Sequence, residues 1–278
     1  EQSRQWLIRN YKKRDQMTYD CNLYASWAYS FTFESPDEQI KYLKLLQEFD
    51  DKDPSSYVLL GITYNLLKQY DKTIPELERS LDIIHNWGEE EFLKQNCTPL
   101  IQLGLAYHGT GQYKKEKEIL KKWEQYQPDT PWLYTGKALL AFAEKDTTGA
   151  NRYIEKYKAY KKKTLQSEAA TDQGLGDIYF QAGMLDRADG YYNKALSLEP
   201  ENTGLMKAVS DYYIEFQRNL NEVPVLMDKA MKLAQNRTDY YTYMDTKGWA
   251  YYKMGKNKEA LAILQKVWDE APYKIYTI

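Results

Sequence analysis

The chain has 278 residues, with 38 Lys and Arg against 40 Asp and Glu, a net charge of −2. That near-neutral balance excludes a general attraction to nucleic acid or acidic membranes and leaves only local patches. Thirty Leu against five Val, with 41 aromatics of which 27 are Tyr, exclude a Val-rich sheet protein and a disordered chain. An all-α fold packed with aromatics is what remains.

The first segment, residues 1–17, is polar and basic (Arg4, Arg9, Lys12, Lys13, Arg14) and reads as an N-terminal helix or arm. It has no signal-peptide core, and no apolar run approaches the roughly 18 residues of a membrane helix. A cytoplasmic location is favoured, although a chain that starts at Glu1 leaves a removed leader open. Cys21 and Cys97 lie 76 residues apart without metal-ligand spacing and read as two buried small hydrophobes.

From residue 18 onward the chain repeats itself. The best pair of segments starts at Asp172 and Met244. In each, a Gly (Gly176, Gly248) is followed three residues later by Tyr (Tyr179, Tyr251). A turn Gly (Gly183, Gly255) comes next, then Ala (Ala188, Ala260), an apolar residue four further on, and a closing Pro (Pro200, Pro272). Earlier copies carry Gly61 with Tyr64, Gly104 with Tyr107 and Gly111, and Gly136 with Ala150 and Ile154 after a short insertion. Ala28 and Ser210 fill the small slot in two weaker copies, the latter followed by Tyr213. The steps between small slots are 33, 43, 32, 40, 34 and 38 residues, so several loops are lengthened. Small residues allow two antiparallel helices to approach, large ones fill the seam, and Gly and Pro end the helices.

This pattern resembles the tetratricopeptide repeat, a helix–turn–helix of about 34 residues. The resemblance spans about residues 18–272 and implies an all-α, right-handed superhelix, or solenoid, of about seven antiparallel helix pairs. Residues 18–278 then form one repeat array. The segment after Pro272 either caps the array weakly, continues in a longer parent, or self-associates; a longer parent is the preferred reading.

The resemblance also implies a non-enzymatic scaffold that binds a protein or peptide on its concave face, lined by the first helices. The helix phase assigns to that face Tyr29, Val58, Ile62, Asn65, Ile101, Leu105 and His108 in the front half. In the rear half it assigns Lys137, Gln173, Asp177 and Phe180, then Lys207, Asp211, Asp245, Trp249 and Tyr252. The apolar front suits a helix or an apolar anchor, and the rear, with carboxylates among aromatics, suits a basic or aromatic segment. The Lys and Asn with which chaperone-tail binders of this family grip a terminal carboxylate are absent: the matching slots hold Val58 and Ile62, Ile101 and Leu105, Gln173 and Asp177, Asp245 and Trp249.

No nucleophile, phosphate-loop or metal pattern is present, His85 and His108 are the only histidines, and no cofactor is expected. The stretch 152–163 carries six Lys and Arg against one Glu, interleaved with Tyr153, Tyr157 and Tyr160. A nucleic-acid-binding array using this stretch is the alternative reading. The favoured one is a second helix that buries its tyrosine stripe and leaves its lysines in water.

Overall fold

The computed structural model describes residues 2–271, without the side chains of Gln2, Glu89 and Glu90. The segment after Ala271, and with it the expectation of a weak cap or self-association there, lies outside the described residues. No strand occurs among the described residues, and no helix is long and apolar enough to cross a membrane. The chain divides into two compact units, one ending at Thr164 and the other beginning at Leu165, within the span read from the sequence as a single array.

The first unit opens with α1 (Gln2–Lys12) and a short 3-10 turn (Arg14–Gln16). Four helix pairs follow: α2 (Tyr19–Phe33) with α3 (Pro36–Phe49), α4 (Pro54–Leu66) with α5 (Tyr70–Gln95), α6 (Thr98–Gly109) with α7 (Tyr113–Tyr126), and α8 (Pro131–Ala143) with α9 (Thr147–Lys163). The second unit has three pairs: α10 (Glu168–Gln181) with α11 (Leu185–Leu198), α12 (Thr203–Glu215) with α13 (Glu222–Leu233), and α14 (Arg237–Lys253) with α15 (Asn257–Glu270). The helix starts are written locally. Pro36, Pro54, Pro99 and Pro131 stand in the first turns, where a missing N–H costs nothing. Asp53, Thr130, Asp146, Ser167, Asn202 and Asn236 each accept a hydrogen bond from a free backbone N–H of the first turn.

Within most pairs the small slot lets the helices touch. A Cβ on Gly61 would come within 2.6 Å of Leu77, one on Gly176 within 2.6 Å of Tyr192, and one on Gly248 within 2.7 Å of Leu264. Three residues on, Tyr64, Tyr107, Tyr179 and Tyr213 are all buried.

The long 43-residue step has a simple cause. The second helix of that pair, α5, continues past its usual end through a left-handed break at Gly88 (φ 99°). Leu93 and Cys97 then return to the core beside Ile84, Leu100 and Trp123. The expectation of two buried cysteines is half corrected: Cys97 is buried, but Cys21 is exposed on α2.

The first-to-second-helix turn fixes the register of six of the seven pairs, all but α2–α3. It passes through a left-handed residue: Lys68, Gly111, Lys145, Gly183, Gln217 (with Asn219 left-handed as well) or Gly255. The N–H after it reaches back to the carbonyl five residues earlier, of Tyr64, Tyr107, Ala141, Tyr179, Tyr213 and Tyr251 in turn. Counting back seven from the left-handed residue gives Gly61, Gly104, Ala138, Gly176, Ser210 and Gly248. The small slot of the fourth pair is therefore Ala138, not Gly136, and no insertion separates it from Ala150. Gly136 instead faces Leu120 of the preceding pair, 2.9 Å from where its Cβ would be.

First-helix faces as the candidate functional site

In the first unit the corrected register leaves Ile62, Asn65, Leu105 and His108 in their assigned slots. α4 packs beside α6, and Asn65 ties them by donating from Nδ2 to the Gln102 backbone carbonyl at 2.9 Å and to Gln102 Oε1 at 2.8 Å. Leu105 is 42% exposed, and Ile62 is half-buried beside it in phase. His108 places Nδ1 3.0 Å from the Glu116 carboxylate of α7, which is 2% exposed, and its ring lies 5.7 Å from that of Tyr113. Val58 is buried, so it belongs to the core and not to the face. Tyr29 is half-buried under α1, its ring stacked on Tyr11 at 3.8 Å and tilted against Phe33 at 4.8 Å. Burial and the Glu34 carboxylate raise its phenol pKa.

Lys137 departs from its assignment. With Ala138 in the small slot, Lys137 points between the second helices, pairing with Glu124 of α7 at 2.5 Å and lying 5.5 Å from the Tyr153 ring of α9.

In the second unit the face is aromatic. Phe180 of α10 sits edge-on to Phe216 at 4.7 Å and to Tyr212 of α12 at 5.2 Å. Asp177 accepts a 2.7 Å hydrogen bond from the Tyr192 hydroxyl, whose pKa burial and the carboxylate push far up. Lys207 and Asp211 pair along α12 at 2.6 Å. Trp249 and Tyr252 of α14 meet at right angles, 5.7 Å apart, with Tyr252 53% exposed. Asp245 is 5% exposed. It is enclosed and not offered to solvent, which corrects its place among the face residues.

Sequence reasoning missed Phe216 and the group that holds it. Phe216 immediately precedes the left-handed Gln217, so its position depends on the turn. The next residue on, Arg218, bridges Asp186 at 2.6 Å and Asp189 at 2.7 Å, and Asp189 also accepts from the Tyr212 hydroxyl at 2.9 Å. The basic stretch 152–163 lies on α9, where Ile154 and Tyr157 are buried and Tyr153 and Tyr160 half-buried. No group of His, Cys, Asp and Glu suited to a metal occurs among the described residues.

Family models described as tetratricopeptide repeat match residues 99–130, 173–202 and 246–272. The PEX5-related protein of Homo sapiens is 25% identical over 239 residues, covering 73% of this chain and 35% of the relative. The PEX5-related protein of Mus musculus matches at the same identity and share of this chain, with 38% of its own length covered. The chain thus spans little more than a third of the length of these curated relatives. The solved structure of MamA from Desulfovibrio magneticus RS-1 is similar in fold, with a TM-score of 0.50, 17% identity, and 67% of this chain and 98% of that one covered. The three matched segments coincide with α6–α7, α10–α11 and α14–α15, the pairs that keep both the small slot and the left-handed turn glycine, and the chain carries tetratricopeptide repeats there.

Proposed function

We propose that the protein is a non-enzymatic scaffold that binds a protein or peptide partner on the first-helix faces of its repeats. The observation that carries this reading is the second unit's aromatic face, where Phe180, Phe216, Trp249 and Tyr252 remain partly open to solvent. Large aromatics with accessible rings are the side chains that supply most of the binding energy at protein interfaces. Residues 165–271 also hold 16 Asp and Glu against 12 Lys and Arg, so a basic segment is the partner chemistry that suits this unit. Cationic side chains would lie over the rings and pair with nearby carboxylates.

A peptide-display selection against the whole chain tests this. Enriched sequences should carry Arg or Lys beside apolar anchors, and Trp249→Ala with Tyr252→Ala should weaken their binding at least tenfold. Lys258→Ala with Lys266→Ala, on exposed positions of α15, should leave it unchanged. Equal losses in both double variants would overturn the site assignment.

A further inference from the structure

In five of the six pairs closed by a left-handed turn, the residue four before that turn is Tyr: Tyr64, Tyr107, Tyr179, Tyr213 and Tyr251. In the pair α8–α9 it is Ala141. In two of these pairs the hydroxyl finds an acceptor on the preceding pair's second helix. Tyr107 donates to Glu78 at 2.6 Å and Tyr213 to Asn193 at 3.3 Å. Glu78 lies seventeen residues after Gly61, and Asn193 seventeen after Gly176. The residue seventeen after Gly104 is Lys121. Where α8 meets α7, ring and acceptor have therefore changed together: the ring is missing and the oxygen that would receive the phenol proton is replaced by an ammonium.

The space left behind is a cleft of about 390 Å³ between α7, α8 and α9, floored by Leu120, Leu140 and Ala141. That volume is within the range of small-molecule sites. Lys137, in the slot that Leu60, Leu103 and Leu175 fill elsewhere, pairs with Glu124 at 2.5 Å, and Lys117 pairs with Glu144 at 3.3 Å across the cleft. Asp146 is engaged in capping α9 through Gly149 N–H. Two lining cations remain without a carboxylate within 4 Å among the described residues, Lys121 on α7 and Arg152 on α9, the latter 5.1 Å from the Tyr153 ring. The cleft therefore offers an apolar floor, an aromatic wall and a net positive lining, four Lys and Arg against three Asp and Glu.

We propose that this cleft is a binding site for a small aromatic acid, whose ring takes the place of the missing tyrosine and whose carboxylate pairs with Lys121 and Arg152. The site is separate from the first-helix faces and does not rest on the scaffold reading.

The test is isothermal titration, with chemical-shift mapping of the whole chain, using phenylacetate, benzylamine and benzyl alcohol as probes. Phenylacetate should bind at least tenfold more tightly than the other two and shift resonances of Ala141 and its neighbours. Ala141→Tyr restores the side chain of the other pairs and should abolish binding without lowering Tm. Lys121→Glu, on an exposed position, should weaken phenylacetate at least tenfold and favour benzylamine. Should Ala141→Tyr fail to fold, the Lys121→Glu result decides alone. Equal affinity for the three probes, or phenylacetate binding unchanged in Lys121→Glu, would overturn the proposal.

Discussion

The Tyr107 hydroxyl on α6 donates a 2.6 Å hydrogen bond to Glu78 on α5, tying one repeat to the next through a ring that is 3% exposed. Burial, with the Glu78 carboxylate beside it, raises the phenol pKa. Tyr107→Phe keeps the ring and loses the bond, and should cost about 1 kcal/mol. Tyr107→Ala also empties the seam and should cost about 3–5 kcal/mol. Urea unfolding of both variants measures the difference.

Two glycines in equivalent slots should respond in opposite ways. A Cβ on Gly104 would meet nothing closer than Ile119 at 3.9 Å, whereas one on Gly176 would strike the Tyr192 ring at 2.6 Å. Gly104→Ala should stabilise by up to about 1 kcal/mol through helix propensity. Gly176→Ala should destabilise by about 1–3 kcal/mol through overpacking. Thermal melts of the pair check the contrast.

Glu116 occupies the slot that Ala150, Ala188 and Ala260 fill in other pairs, and its buried carboxylate is met by His108. Removing the histidine alone strands a buried acid, so His108→Ala should cost about 1–3 kcal/mol. Glu116→Ala installs the residue usual in this slot and should cost far less, because no buried charge is left behind. A double-mutant cycle should give a clear coupling energy; simple additivity would refute the pairing.

Glu76 is half-buried on α5, and burial raises its carboxyl pKa above the usual value against a 2.8 Å bond from Gln47. A raised carboxyl means that the folded chain holds its proton longer than the unfolded chain. Stability contributed by Glu76 is therefore greatest in acid and falls as pH rises through the raised value. Glu76→Gln should flatten the pH–stability curve just above the normal carboxylate range; an unchanged curve would refute this.

The two cysteines should differ sharply in reactivity. Burial pushes the Cys97 thiol up to about 11, and its Sγ donates to the Leu93 carbonyl at 3.0 Å, while Cys21 is exposed. Iodoacetamide at pH 8 should modify Cys21 first and Cys97 only on unfolding, as read by intact mass.

The helix pairs are legible in the amino-acid sequence because their signals are local. A small residue, a tyrosine three later and a left-handed glycine after it act within one pair, and three segments carry all of them. The fourth pair lacks the turn glycine, and Gly136 stands two residues from the true slot. Only the backbone bond that closes over Lys145 assigns the slot to Ala138. That shift turns Lys137 from a face residue into a cleft residue.

Burial, too, belongs to the tertiary structure. Val58 and Asp245 have the helical phase of face residues, yet both are enclosed. Helical phase states where a side chain points, whereas exposure depends on which neighbouring helix arrives there. The cleft beside Ala141 is decided in the same way. An alanine in a helix is unremarkable in a sequence, and lines a cleft only where residues of α7 and α9 arrive around it.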